Sequence, residues 1–317
     1  MIFFNLDPDL LWVFGFMLTL LVIASVIALV LRKLARTESG QRTMANVMAR
    51  IGTWWVLCAI FALCLALGGG AVVVLFALLS LLALREFITL MPTDPADHRT
   101  LLLTFFVITP LQYYLISIAW YGLFSILIPV YAFLVIPSRN AIAGETRHFL
   151  ERTSMVQWGL MVCTYCLSYA PALLVLNIPG YVGHNIKLLF YFLMVVELSD
   201  VFQYVWGKLL GRHPIAPLVS PNKTWEGFLG GIASATAVGT ALNWLTPFNR
   251  WQALGMCIVI TLMGFAGGLT MSAIKRDRGV KDYGTLMIGH GGVLDRIDSV
   301  CFSAPVFFHL TRYFFSP

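Results

Sequence analysis

The chain has 317 residues, of which 59% are hydrophobic and 11% charged, and its formal net charge is +6. Soluble proteins carry about a quarter of their residues as Asp, Glu, Lys or Arg, so 21 Lys+Arg and 15 Asp+Glu are too few to cover a soluble surface. The same balance excludes a disulfide scaffold, a disordered tail protein and a nucleic-acid binder whose basic patch accounts for the charge. Apolar runs of about twenty residues recur from end to end, which makes the chain an all-α polytopic membrane bundle.

The first run, roughly 10–31, is too long for a signal-peptide core and follows Asp7 and Asp9, where a signal peptide would carry basic residues. It reads as a retained helix. Further runs fall at about 52–68, 71–92, 100–118, 122–137, 156–177, 187–206, 227–247, 250–274 and 299–315. The stretch 100–137 is split at Trp120-Tyr121-Gly122, because a helix crosses the hydrocarbon in about 20 residues and interfacial aromatics mark its end. That makes ten spans, or nine if the stretch is one.

Basic residues test the count. With the N-terminus outside, one side collects Arg32, Lys33, Arg36, Arg42, Arg50, Arg99, Arg139, Arg147, Arg152, Lys208, Arg212, Lys223, Lys275, Arg276, Arg278, Lys281 and Arg296. The other has Lys187, Arg250 and Arg312, and Arg85 lies within a span. The basic side is predicted to be cytoplasmic, so most of the +6 expresses topology. Of the 6 cysteines, Cys163 and Cys166 form the one close pair. In the middle of an apolar helix they read as small apolar fillers.

In the span 187–206, Glu197, Asp200, Gln203 or Tyr204, and Lys208 follow one another along one helical face. Ionisable residues at membrane depth are costly and point to function. Asp200 lies about 9 Å from the cytoplasmic end at 1.5 Å per residue, a depth suited to the floor of a cytoplasm-facing pocket. Arg85-Glu86 is a weaker candidate of the same kind, since adjacent opposite charges can neutralise one another or snorkel.

The loop 207–226 contains Gly207-Lys208, Gly211-Arg212 and Ser220-Pro221-Asn222-Lys223-Thr224-Trp225-Glu226, and leads into a helix start, whose free N–H groups suit anionic phosphates. Ser-Pro-Asn is equally an ordinary turn. The two crossings that follow return the chain to the same face, where the loop 275–298 concentrates Lys275, Arg276, Asp277, Arg278, Lys281, Asp282, Asp295, Arg296 and Asp298 around His290-Gly291-Gly292. A solvated loop could carry such a run. The near balance of sign, the Gly-Gly turn and the three-residue spacing of Asp295 and Asp298, which sets both on one helical face, favour a Mg²⁺ seat open to phosphate oxygens.

These residues carry a resemblance. Ser272-x2-Lys275-Arg276-x4-Lys281-Asp282-x-Gly284-x4-Gly289-His290-Gly291-Gly292-x2-Asp295-Arg296-x-Asp298 resembles the hallmark of the phosphatidate cytidylyltransferase (CDP-diacylglycerol synthase) family. Asp200-x3-Tyr204-x2-Gly207-Lys208-x2-Gly211-Arg212 and Ser220-Pro-x-Lys223-Thr224-x-Glu226-Gly227 are similar to that family in the right order. The resemblance covers roughly 195–305. It implies transfer of CMP from CTP to phosphatidate or a related lipid phosphate, with Mg²⁺ as cofactor and a second divalent or a monovalent cation left open. It suggests a homodimer, with no nucleic-acid partner, in a bacterial inner membrane with the site facing the cytoplasm.

On that basis residues 1–180 are expected to be scaffold and lipid access, and 181–317 the catalytic region. Catalytic roles are expected for Asp200, His290, Lys275, Arg276, Asp295 and Asp298. Nucleotide or phosphate contacts are expected from Lys208, Ser220, Lys223, Thr224, Lys281, Gly291, Gly292 and Arg296, and metal ligation from Asp295, Asp298, Asp200 and Glu197. One position departs from the family. Family members usually read Gly-Asp-Leu where this chain has Gly267-Gly268-Leu269, so an expected metal-site carboxylate is Gly268. Two alternatives therefore stand beside the transferase: a CTP-dependent lipid kinase of the polyprenol type, and a catalytically impaired nucleotide- or lipid-binding paralogue. Gly264, Gly267 and Gly268 could also be a small-residue packing face.

Overall fold

The computed structural model describes residues 8–34, 38–286 and 291–316. Every predicted apolar run falls on helix. Among the described residues the ten long helical segments are α1 (Pro8–Leu34), α2 (Glu38–Leu67), α3 (Gly69–Thr89), α4 (Pro95–Ser117), α5 (Tyr121–Ile142), α6 (Phe149–Val175), α7 (Asn185–Leu210), α8 (Trp225–Ala241), α9 (Arg250–Asp277) and α10 (Leu294–Phe315). Seven of them, α1, α3, α4, α5, α6, α7 and α9, are long and apolar enough to cross a membrane. α8 has 17 residues, short of the roughly 20 a straight crossing takes, and α10 opens on the charges Asp295, Arg296 and Asp298.

The predicted break near residue 120 is a tight turn. α4 ends at Ser117, Ala119 adopts a φ of 56°, and the chain re-enters helix at Tyr121. Three π-helical turns, Thr104–Ile108, Leu127–Ala132 and Met161–Cys166, widen α4, α5 and α6. Pro110 follows the first and Pro129 lies within the second. A proline cannot donate to the helical ladder, and its ring displaces the carbonyl four residues back, which accounts for the local rewinding of these two.

The architecture is all-α apart from one short hairpin among the described residues. Pro214–Ala216 (β1) and Ser220–Thr224 (β2) form an antiparallel hairpin between α7 and α8. The Pro-rich sequence His213-Pro-Ile-Ala-Pro cannot continue a helix, and Thr224 ends the hairpin by capping α8, its Oγ1 accepting from the Gly227 N–H at 3.2 Å.

The apolar core is continuous across residue 180. Phe124 packs edge to face on Tyr169 and Phe308, which meet each other at a tilt, Phe192 stacks on Phe307 with centroids 5.2 Å apart, and all are buried. In the C-terminal half small residues bring helices together. A Cβ at Gly227 would lie 2.8 Å from the Gln203 carbonyl oxygen on α7, and one at Gly267 would lie 2.7 Å from the Asp298 carbonyl oxygen on α10. Gly264 faces Ser299 at an ordinary 3.5 Å. The packing reading of this glycine run therefore describes Gly267 and Gly264, and it sets α9 against α10 where both carry the charged motif.

Candidate active site

Four elements meet at one end of the C-terminal half: the second half of α7, the hairpin with the start of α8, the C-terminal half of α9, and the first turns of α10. The hairpin is fastened by Glu226, whose Oε2 accepts from the backbone N–H of Arg212 at 3.0 Å and of His213 at 3.3 Å. Together with the His213 ring, these donors hold the Glu226 carboxyl down at about 2. Arg276 braces the same region from α9, donating to the carbonyls of Val219 at 3.2 Å and Val280 at 3.1 Å.

Two carboxylates of α10, one turn apart, have different surroundings. Asp295 is saturated. Its Oδ1 accepts from Lys275 Nζ at 2.6 Å, and its Oδ2 accepts from the backbone N–H groups of Tyr283 at 2.8 Å and Gly292 at 2.9 Å. The ion pair is buried, with side chains 11% and 7% exposed, and the ammonium lies 5.4 Å from the centre of the Tyr283 ring. Tyr283 is buried and donates its hydroxyl to the Met271 carbonyl, and burial raises its phenol above the ordinary range. Asp295 and Lys275 thus tie the loop after α9 to the start of α10.

Glu86 completes that tie from the other half of the chain. Its carboxylate accepts from the N–H groups of Val293 and Leu294, both at 2.9 Å, at the amino end of α10. A negative charge on free helix-start donors is the favourable arrangement. Gly284 and Gly292 leave room for it, since a Cβ at Gly284 would lie 2.6 Å from Glu86 Oε1 and one at Gly292 would collide with the same carboxylate.

Asp298 faces the other way, toward α7. Ser299 Oγ donates to Asp200 Oδ2 at 2.8 Å and lies 3.3 Å from Asp298 Oδ1, which also accepts the Ser299 N–H at 2.7 Å. One hydroxyl thereby links a carboxylate of α7 to one of α10. Asp200 Oδ1 and Asp298 Oδ2 have no hydrogen-bond partner among the described residues. Lys223 lies between the hairpin and this pair, its ammonium 4.8 Å from the centre of the Phe265 ring and 2.8 Å from the point a Cβ on Gly268 would occupy. Burial lowers the Lys223 pKa, and the Asp298 and Asp200 carboxylates oppose that shift. Lys223 has no hydrogen-bond or ion-pair partner among the described residues, so its three donors are unspent.

The predicted residues divide accordingly. Asp200, Asp298 and Lys223 converge, and Glu197 lies within the field of Asp200, Arg296 and Asp298. Asp295, Lys275, Gly292 and Arg276 are engaged as framework. Gly291, with a φ of 79°, turns the chain beneath Asp295 Oδ2. Ser220 and Thr224 are the ends of the second hairpin strand, while Lys208, Lys281 and Arg296 are exposed. His290 lies outside the described residues. Among the described residues no three His, Cys, Asp or Glu side chains gather closely enough to hold a metal by themselves. Sequence reasoning missed Ser299, Tyr283 and Phe265. Ser299 was within reach, as a hydroxyl directly after Asp298, whereas Tyr283 and Phe265 resemble any apolar filler until their partners are known.

The cytidylyltransferase family model matches residues 48–314. An Escherichia coli (strain K12) protein named "Uncharacterized protein YnbB" is 38% identical over 296 residues, 93% of this chain and 95% of that one. A phosphatidate cytidylyltransferase of Staphylococcus aureus (strain COL) is 31% identical over 271 residues, covering 79% of this chain and 94% of the relative. That of Staphylococcus haemolyticus (strain JCSC1435) is 30% identical over the same length. The match covers both the charged cluster and the N-terminal helix that supplies Glu86, and the chain, an integral membrane protein, belongs to the cytidylyltransferase family.

Proposed function

We propose that the protein transfers the CMP moiety of CTP to phosphatidate or a related lipid phosphate, yielding CDP-diacylglycerol and pyrophosphate. The observation that carries this reading is the convergence of Asp200, Asp298 and the unspent ammonium of Lys223 beside a membrane-embedded helix. Both reactants are strongly anionic, so the protein's task is to bring phosphates together and offset their charge. Lys223 offers three N–H donors to phosphate oxygens. Exposed Lys208, Lys281 and Arg296 add positive charge to the segments that carry the cluster. Lys275 is held by Asp295, which also fastens Tyr283 and Gly292, and Glu86 fixes the amino end of α10 on which Asp298 stands.

The residues present fit Mg²⁺. That ion binds through one or two carboxylates and leaves its other positions to water and phosphate. Among the described residues Asp200 and Asp298 each present one oxygen without an internal partner, and Ser299 holds both in register. When bound, Mg²⁺ would neutralise phosphate charge and polarise the phosphorus under attack. Asp295, with both oxygens engaged, serves the framework in this reading, and Glu197 supports Asp200 from one turn earlier on α7.

The bias of basic residues supports a cytoplasmic site in ten crossings with the N-terminus outside, in a bacterial inner membrane. Residues 1–180 then serve as scaffold and lipid access and 181–317 as the catalytic region, with Glu86 as a contribution from the first to the second. The test supplies purified protein in detergent with CTP labelled in the cytosine, Mg²⁺ and phosphatidate. Label entering the lipid with release of pyrophosphate is the expected result. Label remaining as free CDP would replace this reading with a lipid kinase, and binding of CTP without either product would replace it with a binding protein.

A further inference from the structure

Gly268 and Lys223 are separate motifs in the sequence and one unit in the fold. A Cβ on Gly268 would stand 2.8 Å from Lys223 Nζ, 3.7 Å from Ser299 Oγ and 3.8 Å from Asp298 Oδ2. The missing side chain is therefore a notch at the centre of the cluster, facing both Asp298 and the hydroxyl that links it to Asp200, and the lysine ammonium sits in it. The face of Phe265 backs the ammonium at 4.8 Å. A cation is favoured over an aromatic ring and between carboxylates. Its neighbours Gly264 and Gly267 face α10 in ordinary or tight packing, whereas Gly268 meets the end of a charged side chain.

We infer that Lys223, seated in the Gly268 notch, is a built-in second cation of this site, taking the place that a second metal ion holds in two-metal phosphoryl-transfer centres. Lys275 is paired with Asp295 and adds to the positive field at Asp298, so Asp200 and Asp298 with the Lys223 ammonium between them leave room for one divalent ion. A second would have to sit against a fixed positive charge. Gly268 is what permits this arrangement: any side chain there moves the ammonium, and an acidic one pairs with it.

The inference rests on the placement of Mg²⁺ at Asp200 and Asp298 proposed above. Counting bound ions requires no turnover, so it can fail while the transferase reading stands. Mn²⁺, as a paramagnetic probe, is titrated into purified full-length protein in detergent without nucleotide and bound ions are counted by electron paramagnetic resonance. The wild type is expected to bind one Mn²⁺ per chain. Lys223→Met, which removes the repelling ammonium at nearly constant volume, is expected to tighten that ion about tenfold. Gly268→Asp, which sets a carboxylate against the ammonium, is expected to tighten it at least as much or to admit a second ion. Lys223→Met should also weaken CTP binding measured in EDTA, which a lysine that merely fills space would not do. Two ions on the wild-type chain, or a Lys223→Met protein with unchanged Mn²⁺ affinity, would overturn the inference. No Mn²⁺ on any of the three proteins would overturn it together with the metal assignment, whatever the pyrophosphate assay shows.

Discussion

Asp295 and Asp298 stand one turn apart at the start of α10, each near a lysine, and their surroundings differ. Asp295 receives an ammonium and two backbone N–H groups, so both of its oxygens are engaged within the protein, and Lys275 is tied to it by a buried ion pair. Asp298 shares one serine with Asp200 and keeps an oxygen open among the described residues, where Lys223 beside it has no hydrogen-bond or ion-pair partner and meets only the Phe265 ring. A cluster with open donors and acceptors beside one whose carboxylate is filled is where the proposed function puts an external anion and its counter-ion. The closed cluster is what allows the open one to persist, because it fixes the helix start that carries both.

Substitutions can break this contrast from either side. Asp298→Asn is expected to reduce CDP-lipid formation at least ~100-fold while the protein stays folded and monodisperse in detergent, since charge stabilisation at a reacting phosphate is typically worth that much. Wild-type-like turnover would move the open site elsewhere. Asp295→Ala should show the reverse emphasis, because it strands the buried Lys275 ammonium. Breaking a buried pair from one side costs about 3–5 kcal/mol, read as a fall in thermal midpoint well beyond that of Asp298→Asn.

Glu86→Gln is a smaller test of the same framework. An amide can accept only one of the Val293 and Leu294 N–H groups and opposes its own donors to the other, a loss of about 1–3 kcal/mol. Stability should fall and pyrophosphate release should fall with it, whereas an unchanged melting midpoint would detach the N-terminal half from the site. The smallest effect concerns pH. With the Glu226 carboxyl held at about 2, below its ordinary 4.5, the fastening of the hairpin is fully present above pH 4.5 and is lost as pH falls toward 2. Hydrogen exchange at the Arg212 and His213 amides should accelerate through that window, and no acceleration would show that Glu226 does not hold them.

Much of the fold was legible because membrane crossing imposes a long apolar period that no tertiary context overrides. The ten runs, the turn near residue 120 and the return of two charged loops to one region all follow from it. The hairpin was not legible, because Ser-Pro-Asn-Lys-Thr announces a turn and a helix start without announcing a strand partner. Asp200, Lys223 and Asp298 were visible as charges out of place. Asp295 was visible for the same reason and given the same role, since spacing along a helix says that two carboxylates share a face and cannot say what that face meets.

The sequence by itself determined the class of molecule, the positions of its helices and the family motifs, all of which depend on local composition and order. Only the tertiary structure decided which carboxylate is spent and which is open, that Glu86 reaches across 207 positions to the start of α10, and that the glycine at 268 holds the end of Lys223. Those outcomes depend on pairs of atoms a few ångströms apart and far apart in the chain, and electrostatic and hydrogen-bond energies are decided at that distance.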